Sequence, residues 1–331
     1  MSSSIKDVAR LAGVSVATVS HVINETRFVT DATRAKVLLA IDQLQYSPNI
    51  LARKFKTGSR DTVGFVVPDI ANGYFATLIE QVEEVLQSHG FRLIVCNTRE
   101  DVARELDILR MLSSGVVDGL VVASTLDDYQ QMDELLPAGF PVVLVDRTLS
   151  NAPVDTISTD NFGAIHDGVT ALIERGHRRI GFMASVRHLS TTSERVRAYR
   201  AALEEHAIPW DDRLIRYSES LTESVKAPAD ALLDLGCTAI VASNNMLTGR
   251  LVAALHTGNW LPREIKILGY RDPAHFGFFE HEAEWLEEPI SEMGRLAGEA
   301  IVRRMSDPTT ERLQTVLRAS FLAQGEASHG A

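Results

Sequence analysis

A chain of 331 residues with 45% hydrophobic content is long enough for two or three domains with full cores, and a net charge of −11 argues, as an average, against a nucleic-acid partner. The average conceals a division: residues 1–60 hold nine Lys and Arg against four Asp and Glu, and the remainder holds 24 against 40. A basic head on an acidic body is the asymmetry of a DNA reader joined to a separate, non-DNA body. No signal-peptide pattern opens the chain, and no apolar run nears the ~18 residues of a membrane span, so a soluble cytoplasmic protein is expected. Cys96 and Cys237 each adjoin an apolar run and have no metal-ligand spacing around them. Neither a disulfide framework, a metal site nor a cofactor is expected.

In chain order, Ser4 followed by Asp7 has capping-box spacing and starts a helix. Ile5, Val8, Ala9 and Ala12 then form one apolar stripe, and Gly13 supplies the left-handed stop. Ser15 caps a second helix whose Val19, Val22 and Ile23 face back onto the first. That leaves Val16, Ala17, Thr18, Ser20, His21 and Asn24 on the outward face. Helix, tight turn, helix is the arrangement that places its second helix in the major groove of DNA. A third helix is predicted from Asp31 to Gln45, with Val37, Leu38, Ile41 and Leu44 as its stripe. Pro48 suits the first position of a short helix over about residues 48–56. So short a helix does not hold alone in water, so this one is expected to order only against DNA or a partner copy. Gly58 and Ser59 mark a linker.

From Thr62 onward, short β-branched runs alternate with helical periods. The runs are 63–67, 93–96, 119–122, 142–145, 180–183, 239–241 and 265–269; amphipathic helices such as 75–89, 101–114 and 163–175 lie between them. Continuous apolar runs describe strands buried on both faces of a parallel sheet. The body is therefore predicted to be α/β and doubly wound, and its length calls for two lobes.

At this point the motifs resemble those of the lactose-repressor (LacI/GalR) family. They are Ile5–Ser15, Thr18-Val19-Ser20, Tyr46-Ser47-Pro48-Asn49, Val66–Ile70, Val117–Val121, Pro141–Arg147, Asp160-Asn161 and Arg175–Ile180. They run in family order from Ile5 to about Met305, and the head, through residues 20–24 and 26–29, is most similar to those of purine and ribose repressors. The resemblance implies a helix-turn-helix head with hinge helix over residues 1–59, then a two-lobed, periplasmic-binding-protein-like body over 60–331. One lobe takes about 60–160 plus 290–315; the other takes about 161–289 plus 316–331. It implies a homodimer on a near-palindromic operator, with a small effector between the lobes and no membrane partner. No heptad repeat follows Leu313, so the family's tetramerising tail is not expected.

For DNA the resemblance points to Ser15, Val16, Ala17, Thr18, Ser20, His21 and Asn24, to Arg27 beyond the recognition helix, and to Asn49, Ala52, Phe55 and Lys56 of the hinge. Val16 and Ala17 offer thymine methyls only van der Waals contact, and Thr18, Ser20 and His21 are not bidentate, so base-edge reading is thin. Phe55 stands where the family inserts a leucine into the minor groove, which makes kinking of the operator the expected mode of readout. For the effector it points to Asp69, Phe75, Asp146, Arg147, Thr191, Arg195, Asn244 and Asn245. The run Gly269-Tyr270-Arg271-Asp272 departs from the family's Gly-aromatic-Asp-Asp, and Asn245 replaces an acid. With Arg271 in the site, an anionic effector such as gluconate or a ketogluconate is expected, since a guanidinium fork matches a carboxylate. A purine or a neutral sugar is the alternative. A solute-binding protein would share the body but needs no such head. No Walker, dinucleotide or nucleophile-elbow motif points to an enzyme, and no catalytic residue is assigned.

Overall fold

The computed structural model describes residues 4–24, 27–46, 60–218, 224–257, 265–272 and 283–322. It divides into two compact units, Met1–Arg60 and Asp61–Ala331.

In the first unit, α1 (Ile5–Ala12) starts on the capping box read from the sequence: Asp7 accepts from the Ser4 backbone N–H at 3.0 Å, and Ser4 Oγ accepts from Asp7 N. It stops at Gly13, whose φ of 66° is the left-handed conformation. The next helix, α2 (Val16–Asn24), is capped by Ser15 Oγ, which accepts from Thr18 N at 3.0 Å. The third, α3 (Asp31–Gln43), ends two residues before the sequence expectation. Val8, Ala9, Val19, Val22, Val37 and Ala40 make the core. Leu38 is not part of it: it is 52% exposed, and Ala40 takes its place. On a helix Val37, Ala40, Ile41 and Leu44 share a face, whereas Leu38 is turned about 100° from Val37.

The second unit is built on two six-stranded sheets. The first has strand order β11-β5-β4-β3-β1-β2 and is parallel throughout. Its strands are β1 (Thr62–Val67), β2 (Arg92–Asn97), β3 (Gly119–Val122), β4 (Val142–Asp146), β5 (Asp155–Thr159) and β11 (Gln314–Leu317). The second, in order β12-β10-β9-β8-β6-β7, is parallel but for its last pair, β10 with β12. Its strands are β6 (Ile180–Ala184), β7 (Ile215–Tyr217), β8 (Ala239–Ala242), β9 (Lys266–Tyr270), β10 (Ala283–Glu287) and β12 (Ser320–Leu322). The helices of this unit are α4 (Gly73–Ser88), α5 (Val102–Ser113), α6 (Gln130–Asp133), α7 (Asn161–Glu174), α8 (Ser190–Glu205), α9 (Lys226–Asp234), α10 (Asn245–Thr257) and α11 (Ile290–Ser306).

The chain passes between the sheets three times: from β5 to α7, from β10 to α11, and from β11 to β12. The last helix thus belongs to the first lobe, where Met293, Ala297 and Ile301 pack with Phe65, Val143 and Ile157. Close approach requires glycine on its other face: a Cβ on Gly298 would lie 2.8 Å from the Cβ of Val85 on α4. The third passage falls at residues 318–319, so β11 lies wholly in the first sheet. The predicted runs all form strands, with one difference of environment. The edge strand β2 leaves Ile94 and Val95 36% and 38% exposed instead of burying both faces.

Strand β5 escaped the hydrophobic pattern because it is polar, yet all five residues are buried. Asp155, with no exposure, accepts from Arg303, from Arg304 Nε at 2.8 Å and from the backbone N–H of Leu313 at 2.7 Å. This carboxylate fastens the end of α11 and the approach to β11 onto β5. Its removal leaves the Leu313 N–H and two part-exposed guanidinium groups without their acceptor, at a cost of about 1–3 kcal/mol. Asp155→Ala is therefore expected to destabilise the protein by about that amount in urea unfolding, with Asp155→Asn affected less. An unchanged midpoint for the alanine variant would show that this carboxylate does not clamp the two elements.

Candidate functional site

Two surfaces carry the residues singled out in the sequence. On the head, α2 is amphipathic: Val19 and Val22 are buried, and Ser15, Val16 and Ala17 are exposed at its start, with Thr18, Ser20 and His21 half-buried behind them. Arg27 is exposed beyond its C-terminus. Asn24 has its backbone in α2, but its side chain lies outside the described residues, as do Asn49, Ala52, Phe55 and Lys56 in full.

In the body, a cleft lies where the strands of both sheets end, the place where α/β sheets take ligands. Eight of the nine sequence candidates line it: Asp69, Phe75, Asp146, Arg147, Thr191, Arg195, Asn244 and Asn245. It is narrow, with about 60 Å³ of free space, room for a few waters. A wider groove of about 700 Å³ lies at the opposite, N-terminal ends of the strands, beside Pro137, Pro153 and Pro308; none of its described polar atoms is buried without a partner.

Each cleft side chain is set by its element. Asn72, the N-cap of α4, accepts from Tyr74 N at 3.0 Å and from the Asn245 amide at 2.6 Å, which joins the first lobe to the start of α10. Asn245 also donates to Asp272 at 3.2 Å, and Asn244 Oδ1 caps α10 by accepting from Leu247 N. Tyr74 OH donates to Asp146 Oδ1 at 2.9 Å, and Phe75 meets the Tyr74 ring edge-on at 5.1 Å. Asp146 ends β4 with φ of 67°, a left-handed backbone that turns its carboxylate into the cleft. Arg147 donates through both terminal nitrogens to Glu100, at 2.6 and 2.8 Å, and also to Ser124 O at 3.2 Å. Its Nε lies 3.6 Å from Asp146 and is buried with no hydrogen-bond partner among the described residues.

Arg195 sits on α8, over the Tyr270 ring at 4.1 Å. It donates to Asn161 at 2.8 Å, to Ser243 O at 2.5 Å and to Glu288 at 3.0 Å. Asn161 opens α7 just after the first passage between the lobes, and Glu288 lies in the second. The cleft arginine is thus tied to one connecting segment and to the helix start that follows another.

Arg271 corrects the sequence reading. It pairs with Glu287 at 2.5 Å and is not among the described residues lining the cleft. Residues at the end of a strand alternate in direction, and here it is Asp272 that reaches Asn245. The sequence reading missed Asn72, Tyr74, Glu100 and Glu288. The two asparagines at helix starts carried a capping signal that could have found Asn72. Glu100 and Glu288 follow strands as Asp69 does, and that position is their only signal.

Burial drives the titration of the cleft. It pushes the Asp146 carboxyl up against the pull of Arg147 and Arg195, and it pushes the Tyr74 phenol well above its usual range. Glu288 is raised to about 7, by burial first, against the opposing charge of Arg195.

A helix-turn-helix head carried on a two-lobed body with a polar interlobe cleft defines a ligand-responsive DNA-binding regulator. The chain belongs to the LacI family of bacterial regulatory proteins. Residues 4–49 match the model described as bacterial regulatory proteins, lacI family, and residues 60–321 match periplasmic binding proteins and sugar binding domain of LacI family. It is 33% identical over 314 residues to the HTH-type transcriptional repressor PurR of Photobacterium profundum, covering 94% of each chain. Among solved structures it resembles the transcriptional regulator CelR–cellobiose complex at 28% identity and a TM-score of 0.70, covering 98% of this chain and 99% of that one. It also resembles a LacI family transcriptional regulator from Enterococcus faecium with bound ribose, at 25% identity and a TM-score of 0.69, covering 80% and 98%. No described helix is long and apolar enough to cross a membrane.

A carboxyl whose pKa is raised by folding stabilises the fold fully below its unfolded value, and that contribution is lost as pH rises through the folded value. Glu288 therefore predicts a loss with its end near pH 7. Wild type is expected to lose stability relative to Glu288→Gln as pH is raised from about 5 to about 8, read by thermal melts. A difference between the two that ignores pH would contradict the raised carboxyl.

Proposed function

We propose that this protein is a dimeric repressor that binds a near-palindromic operator through α2 and Arg27, and that an uncharged, polyhydroxylated effector in the interlobe cleft switches its operator affinity. One observation carries the effector class. Both guanidinium groups of the cleft already have an acidic side chain of this protein as partner, Arg147 the Glu100 carboxylate and Arg195 the Glu288 carboxyl. A sugar acid would add a further negative charge beside Asp146 with no open arginine fork to receive it, and Arg271, on which an anionic effector would depend, pairs with Glu287 outside the described lining of the cleft. Asp146 and the asparagines instead offer hydrogen-bond partners for hydroxyls, and Phe75 a face for a sugar ring, the composition of a small-molecule site. The cellobiose and ribose held by the two similar structures are uncharged sugars, which supports the same class.

The test is a thermal-shift panel of neutral sugars, sugar acids and purines on the full chain. A ligand at 100 times its Kd stabilises by about 2.7 kcal/mol. A neutral sugar is expected to raise the melting temperature, and Asp146→Asn is expected to weaken it at least about tenfold while preserving the acceptor for Tyr74. Asparagine also tolerates the left-handed backbone at this position. A response to sugar acids or purines alone would overturn the effector class.

A further inference from the structure

Glu100 has no role in the family comparison and was not singled out by the sequence, yet its placement is over-determined. It follows β2 in a loop where Arg99 and Glu100 both have φ of 58°, two successive left-handed conformations without glycine. Such backbone persists only where surrounding contacts hold it. Asn97 Oδ1 accepts from Arg99 N at 3.2 Å on one side, and Asp101 caps α5 on the other. The outcome is a carboxylate seated squarely in the Arg147 fork, with both side chains nearly buried, 11% and 8% exposed. Both terminal nitrogens of Arg147 are used up by this contact, and Ser124 O takes a further hydrogen bond. What remains open on that side of the cleft is the buried Arg147 Nε and the Asp146 carboxylate beside it.

We propose that Glu100 sets the charge class of the ligand: its carboxylate occupies Arg147 as a resident anion and so excludes sugar acids, leaving donors and acceptors that suit hydroxyl groups. The inference rests on the cleft being the effector site. It makes Glu100 a specificity residue that acts by exclusion, the repulsive element that selective sites use alongside attractive ones. A chain without this carboxylate presents an unpaired, buried guanidinium fork, which a ligand carboxylate matches in bidentate geometry.

The experiment uses the full chain and matched probes: glucose, galactose and ribose, each beside its sodium aldonate, with sodium chloride as the ionic-strength control. Binding is read by thermal shift and titration calorimetry. Wild type is expected to show no aldonate response beyond the chloride control. Glu100→Gln is expected to gain binding to at least one aldonate, at least about tenfold tighter than wild type, and the gain is expected to vanish in Glu100→Gln/Arg147→Gln. Glu100→Asp draws the charge back by one methylene, keeps the acid and is expected to gain less; it also serves if the glutamine variant does not fold. Equal aldonate response in wild type and Glu100→Gln, present or absent, overturns the proposal, as does a gain that survives loss of Arg147. The two readings fail separately. A gain in Glu100→Gln with no neutral-sugar binding by wild type sinks the uncharged effector and keeps the gate, and neutral-sugar binding without the gain does the reverse.

Discussion

The constraint on which the body depends is the burial of Arg195. A guanidinium removed from water must be matched by charge and hydrogen bonds, or it costs several kcal/mol. Arg195 meets that demand with Glu288, Asn161 and the carbonyl of Ser243, and lies over Tyr270. Glu288 sits on a segment that carries the chain from one lobe to the other, and Asn161 opens the helix just after another. A side chain lining the cleft therefore also ties residues at and beside the passages between the sheets. A ligand shifts an equilibrium between two arrangements only by its difference in affinity for them.

The same economy of charge appears at each end of the first lobe. Asp155 is buried against Arg303 and Arg304 at one end, and Arg147 against Glu100 at the other. Beneath Arg147, Ser124 donates to Glu105 of α5, and Glu105 also accepts from Thr125 N at 2.7 Å. Burial pushes the Glu105 carboxyl up, and these hydrogen bonds oppose it. The cleft is thus backed by a polar layer that fixes its side chains on rigid elements, which is what a selective site requires.

Much of this was legible in the sequence, for identifiable reasons. Capping at Ser4 and Ser15 and the stop at Gly13 are local, so the head's helices could be read directly. The apolar strands could be read because their burial needs no partner. What escaped was burial achieved by distant pairing. Strand β5 reads as polar until Arg303 and Arg304 arrive from about 150 residues away, and β10 contains Glu284, buried against Arg175. Leu38 was misplaced because α3 carries apolar residues on more than one face. Eight cleft positions followed from family resemblance, but the direction of Arg271 did not, since one residue of register at a strand end decides between the cleft and Glu287.

Coupling between the cleft and DNA reading would appear as an operator affinity that depends on cleft occupancy. The most direct measurement is the affinity of the full chain for an operator duplex that it has itself enriched from a random pool, titrated with the sugar that binds the cleft, at fixed salt. This sugar is expected to change operator Kd at least about tenfold in wild type, in either direction, and the change is expected to shrink with sugar affinity in Asp146→Asn. Saturating sugar that binds the cleft and leaves operator affinity unmoved would contradict it.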